Sequence, residues 1–196
     1  MNKHACLAMA LGLAFCSPAF CQKEITVPMG PAIGVSMGQR SGDLSVGLDV
    51  TTPYLQFPAY NGRSESAIRL SGDMRLKEGV PLGAAKDSIE LYYVARLGYV
   101  GGIRVTNFIR MYAEVGGMAV FPTAELSSST NPHFGAYGHF GGEVFLGKNI
   151  LNKNTGIYFE IGEEANGSGE ARFDKLNNSP LMGTGPTACG GVRYYL

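Results

Sequence analysis

Cys189-Gly190-Gly191-Val192-Arg193-Tyr194-Tyr195-Leu196 decides the fold. The stretch alternates. Val192, Tyr194 and Leu196 fall on one face of an extended strand, and Arg193 and Tyr195 fall on the other. An apolar edge strand in water templates aggregation. A strand that closes a barrel, with its apolar face away from water, does not. The reading therefore starts from a closed barrel and asks whether the rest of the chain supplies the other strands.

It does. Ile33, Val35 and Met37 oppose Gly34, Ser36 and Gly38 over 32–40. Leu44, Val46, Leu48 and Val50 oppose Ser45, Gly47, Asp49 and Thr51, the clearest period-two segment in the chain. Further alternating segments run over 67–76, 89–99, 108–121, 134–147 and 155–163, and the last strand covers 184–196. That makes eight strands. No segment carries a helical period of comparable strength. The stretches 52–64, 77–88, 101–107, 122–132, 148–154 and 165–183 read as connections, marked by Pro, Gly, Asn and Ser. Counting back from the last strand, the connections alternate long and short, except that the first hairpin is short and the second connection is long.

Composition narrows the class. The chain has 196 residues, enough for one domain, with formal net charge zero and 16% charged residues. No basic surface points to nucleic acid. There are 28 Gly, 10 Tyr, 10 Phe and no Trp, a balance that suits strands better than helices. Residues 1–21 read as a cleaved secretory signal. Lys3 and His4 precede an apolar core from Ala5 to Phe15 that is too short to span a membrane. Cleavage near Cys21 removes one lysine and no acid, leaving a formal charge of −1 and Cys189 as the sole thiol. Cleavage after Ala19 would leave Cys21 able to pair with it. Lipidation of Cys16 or Cys21 is the alternative, although Phe precedes each. The expected domains are residues 1–21, signal peptide, and 22–196, barrel.

The strand faces choose between two kinds of barrel. The polar faces carry Asp49, Arg69, Asp73, Arg75, Arg96, Arg110, Glu114, Glu143, Glu160 and Arg193. Five acids and five arginines lie among Gly, Ser and Tyr, while Lys is kept mainly to the connections. A buried ionic lattice favours Arg because its planar fork meets carboxylates in pairs. Eight strands leave an interior that side chains just fill. The expectation is a lumen polar network made by these ten residues, with Arg110, Glu114, Glu143, Glu160 and Arg193 joined in one connected set. Val46, Leu48, Leu70, Leu91, Leu97, Met111, Val115, Val144, Phe159, Ile161, Val192 and Tyr194 are then expected to face lipid. The competing reading inverts the faces and leaves the charges solvated.

On these features the chain resembles the small eight-stranded outer-membrane proteins of Gram-negative bacteria, of the OmpA transmembrane domain, OmpX and opacity-protein type. The features are the export signal, the alternating strands, the glycine-rich run Gly138–Gly147 and the closing Val192-Arg193-Tyr194-Tyr195-Leu196. The chain departs from them in ending on Leu196 rather than Phe and in lacking Trp. The resemblance implies an all-β, single eight-stranded antiparallel up-and-down transmembrane barrel in the bacterial outer membrane. The resemblance is one of fold; with the charged lumen, the leading expectation is a non-enzymatic protein with a structural or surface-interaction role and a plugged polar lumen. Two alternatives stay open: a narrow channel for small apolar molecules, OmpW-like, and a soluble exported ligand-binding barrel.

No catalytic, cofactor or metal site is expected. Some barrel hydrolases place a Ser two residues after a His. Here Gly141 follows His139 at that spacing, so His139 and Glu143 are expected to make interior polar contacts. Glu163, Glu164 and Glu170 are expected to be a solvated acidic loop. The expected partners are outer-membrane lipid and, through the loops, a host or envelope partner, with the chain a monomer.

Overall fold

The structure is a computed structural model, and it describes residues 27–40, 43–82, 85–124, 131–145, 154–166 and 185–196. The expected signal segment lies outside the described residues.

Among the described residues nine strands form: β1 (Ala32–Arg40), β2 (Asp43–Thr51), β3 (Leu55–Phe57), β4 (Ser64–Leu82), β5 (Ala85–Arg104), β6 (Ile109–Phe121), β7 (His133–Phe145), β8 (Thr155–Asn166) and β9 (Gly185–Tyr195). Eight of them close a barrel and β3 is a short addition. Every neighbour is antiparallel, in the order β2-β1-β9-β8-β7-β6-β5-β4, and β2 pairs with β4 to complete the ring. Within the ring each of the eight strands is paired on both sides, and the edges left over belong to the extension of β4 and β5 beyond it. The seam is the stretch that opened the reading: Ile33 pairs Tyr194, Val35 pairs Val192 and Ala32 pairs Tyr195.

The barrel is inside-out relative to a soluble protein. Among the described residues, 29 large apolar or aromatic side chains are exposed on the outside, while twelve charged side chains are buried. Of the twelve residues expected to face lipid, ten are exposed, and Leu91 and Met111 are half-buried on the same outward face. A large apolar side chain gains about 1.5–3 kcal/mol on full burial, so leaving this surface in water would cost on the order of tens of kcal/mol.

Two segments differ from the sequence reading. The stretch 77–88 is not a loop. β4 and β5 continue as a two-stranded ribbon to Leu82 and Ala85, beyond their last pairings with β2 and β6. The stretch 101–107, readable as a connection that is partly strand, is so: β5 runs to Arg104. Within 52–64, β3 pairs Leu55–Phe57 with Ser64–Ser66. A single turn at Ala59–Gly62 follows β3, with Tyr60 and Asn61 at φ 51° and 58°. The short first hairpin is real, since Arg40 pairs Asp43 and leaves two residues to turn.

The end where β1 begins and β9 ends is closed from within. Val27, Tyr54, Phe145 and Tyr195 pack there as an apolar cluster, with Met29 against it. Backbone bonds fix the lead-in: the Tyr54 amide donates to Met29 O at 2.8 Å, and the Leu196 amide donates to Pro31 O at 2.8 Å. Pro28 and Pro31 keep this strap irregular.

Candidate functional site: the barrel interior

Inward positions alternate with outward ones, so the charged residues of neighbouring strands meet across the lumen. Nine of the ten residues expected there are buried, and the Arg96 side chain is 11% exposed. They stack in three storeys along the barrel axis.

The middle storey centres on Glu160. Its Oε1 accepts from Arg69 Nη1 at 2.7 Å, from Arg193 Nη2 at 3.3 Å and from the Tyr112 hydroxyl at 2.5 Å. Arg69 also donates to Glu114 at 2.5 Å, and Arg193 donates to Asp49 at 2.9 Å. The storey near the β4–β5 ribbon holds Arg75 and Arg96. Arg75 forks onto both oxygens of Glu164, 2.7 Å each. Arg96 donates to Asp73 at 2.6 Å and to Glu164 at 3.0 Å. The storey at the strapped end is built on Arg110, which is fully buried. Its guanidinium donates to Glu65, to Glu143 at 3.0 Å, to the Tyr195 hydroxyl at 2.6 Å and to Pro28 O at 2.6 Å.

One expectation is corrected here. Arg110, Glu114, Glu143, Glu160 and Arg193 do not form one network of direct bonds among the described residues. Glu114, Glu160 and Arg193 join through Arg69, while Arg110 and Glu143 belong to the lower storey. Glu164 is the second correction. It is not part of a solvated acidic loop but a fully buried β8 residue holding two arginines, because its place in the strand alternation points it inward. Glu163 beside it is exposed, and Glu170 lies outside the described residues.

Sequence reasoning passed over Asp43, Glu65 and Arg104, whereas tyrosine hydroxyls are expected among the partners of the lumen charges. Inward tyrosines donate to the carboxylates: Tyr137 to Glu114 at 2.6 Å, Tyr195 to Glu143 at 2.6 Å, Tyr158 to Asp49 at 3.2 Å and Tyr92 to Asp43 at 2.8 Å. The arginines lie over tyrosine faces as well, Arg193 3.7 Å from the Tyr158 centroid and Arg110 3.9 Å from that of Tyr54. The strand tyrosines, Tyr92, Tyr137, Tyr158 and Tyr195, share the period-two faces of the charges; Tyr54 lies outside the strands. Small residues make room for them. A Cβ at Gly141 would lie 2.8 Å from both Tyr112 and Glu160, its neighbours in the ladder.

His139 shows what the interior can and cannot do. Its Nε2 is 3.1 Å from Thr187 Oγ1, and its Nδ1 is 3.9 Å from Glu160 Oε2. The order hydroxyl–imidazole–carboxylate resembles an acyl-transfer triad. Glu160, however, is already committed to two arginines and Tyr112. The cavity beside it, lined by His139, Glu160 and Cys189, has about 10 Å³ of space, room for about one water. No substrate fits. His139 also stacks against Tyr137, with centroids 5.0 Å apart.

The fold and its interior define a closed eight-stranded β-barrel with an ion-paired core and an apolar outer face. In fold the chain is similar to small outer-membrane barrels. Comparable solved structures include one described as a de novo designed transmembrane β-barrel, with 10% identity, TM-score 0.45, and 89% of this chain and 98% of that chain covered. Another is Ail, the attachment invasion locus protein of Yersinia pestis, solved with the heparin analogue sucrose octasulfate. It shows 10% identity, TM-score 0.47, and coverage of 85% of this chain and 95% of that chain. CarO of Acinetobacter baumannii shows 12% identity, TM-score 0.29, and coverage of 89% and 100%. No protein-family model matches the sequence, and no curated protein does.

Proposed function

We propose that the chain is a non-enzymatic outer-membrane β-barrel with a plugged polar lumen and a structural or surface-interaction role, working as a monomer. One observation carries this reading: the apolar side chains face out around a closed ring while Arg, Asp and Glu face in. Lipid is the solvent that rewards such an arrangement, and a closed barrel is the only sheet that satisfies its backbone there. The two cavities beside the middle storey and the ribbon-side storey each have room for about one water, which favours a plug over a channel for small apolar molecules. Under this reading the strapped end faces the periplasm. The opposite end carries the ribbon and the connections 122–132 and 167–184, and surface contacts are made there.

Fractionation tests the reading. The full chain should stay in the envelope membrane fraction through an alkaline wash and should migrate faster unheated than boiled. Recovery in the soluble periplasm would sink it and favour the exported ligand-binding barrel.

A further inference from the structure

The barrel wall is not equally tall all round. β2 ends at Thr51, and its partner β1 begins at Ala32. β4 and β5 continue further, and β3 fills the place beside β4 that β2 has left, pairing Leu55–Phe57 with Ser64–Ser66. The result is a one-sided foot below the rim. Gln56, opposite Glu65, points inward, and Leu55 and Phe57 point outward. Leu55 is 66% exposed, Phe57 45%, and Tyr60 at the turn 78%. Ile103 on β5 and Val105 just past its end extend the same outward surface, and Arg63 is exposed at its lower margin.

We propose that this foot is an interfacial anchor, with Leu55, Phe57 and Tyr60 seated at the boundary between acyl chains and phosphate headgroups of the leaflet on the strapped side. The proposal rests on the membrane reading above. The height of the wall places it there. Tyr93, paired across the ladder with Phe121, marks an aromatic level of the outward band toward the far end, with half-buried Leu91 one pleat beyond it. From Tyr93 to Ile103 is ten residues along β5. At about 3.4 Å per residue and a tilt of about 35–45°, that rise is about 25 Å, the height of an apolar band in a membrane barrel. Ile103 pairs Ser64, and Ser64 pairs Phe57, so the foot starts where the band ends. The order down the foot is aliphatic, aromatic, then Tyr60, Asn61 and Arg63, the gradient an interface selects. A solvated turn has no use for a tyrosine presented at positive φ beside two outward apolar residues; a headgroup boundary gives all three a partner.

The chain contains no Trp, so single-Trp variants read depth without background. The experiment folds full-length Tyr60→Trp, Phe57→Trp and Val115→Trp into phosphatidylcholine vesicles brominated either near the headgroup or near the chain ends. Heat-modifiable migration confirms that each has folded. Expected is blue-shifted emission from Tyr60→Trp and Phe57→Trp, quenched most by bromines near the headgroup, and quenching of Val115→Trp by the deep bromines. Water-like, unquenched emission from both foot variants beside a quenched Val115→Trp would overturn the foot and leave the membrane barrel standing. An unquenched Val115→Trp would overturn both.

Discussion

Tyr195 and Glu143 sit on β9 and β7, strands that do not pair, yet the Tyr195 hydroxyl donates to Glu143 Oε2 at 2.6 Å across the lumen. Arg110, from β6, donates to both. Cross-barrel bonds of this kind turn an eight-stranded ring into a solid cylinder. They also make each arginine matter to more than one strand.

Arg193 shows the consequence for stability. It holds Asp49 and Glu160 and lies over the Tyr158 ring. Arg193→Ala takes an arginine from two buried carboxylates, leaving Glu160 to Arg69 and Tyr112 and Asp49 to Tyr158, and should cost up to about 3–5 kcal/mol, the range for broken buried pairs. Arg193→Met combined with Asp49→Asn removes one of the two carboxylate charges and should cost less than the sum of the single changes. Urea unfolding in lipid vesicles measures both. Strict additivity would mean that the two groups do not interact.

The outer face makes the opposite demand. Val115 is 60% exposed at mid-height on β6. Val115→Arg should cost about 2–4 kcal/mol in a bilayer, falling toward zero for charges placed near the interfaces. Unchanged vesicle folding for this variant and for Leu97→Arg would contradict a lipid-facing wall.

Two glycines one turn of the pleat apart in role should behave differently. Gly141 faces in, and an added Cβ meets Tyr112 and Glu160 at 2.8 Å. Gly117 faces out, with nothing nearer such a Cβ than Gly135 O at 3.9 Å. Gly141→Ala should therefore destabilise by about 1–3 kcal/mol through overpacking. Gly117→Ala should stay within about 0.5 kcal/mol. Equal effects, read from denaturant midpoints, would mean that the lumen is looser than its contacts imply.

The alternation of Leu44–Thr51 and of Val192–Leu196 made both faces of those strands readable, because a period of two is a local property of the chain. So was the inward direction of Arg69, Glu114 or Arg193. The storeys were not readable, since which arginine meets which carboxylate depends on stagger between strands far apart in sequence. Glu164 was taken for a loop residue because β8 runs beyond its last apolar outward position, Ile161. Val27 and Tyr54 carry no periodicity at all. Their burial follows from the barrel mouth that receives them, a feature no local window contains. The same holds for β3, whose three residues form a strand only because β4 outlasts β2.

The central claim is that Arg69, Arg96, Arg110 and Arg193, with their carboxylates and tyrosines, close the lumen. Planar-bilayer recording on the folded, heat-modifiable full-length chain tests it most directly. The account expects current indistinguishable from the bare bilayer, with openings appearing only when a storey is dismantled, as in Arg69→Ala combined with Arg193→Ala. A large, steady conductance from the unaltered protein would contradict it.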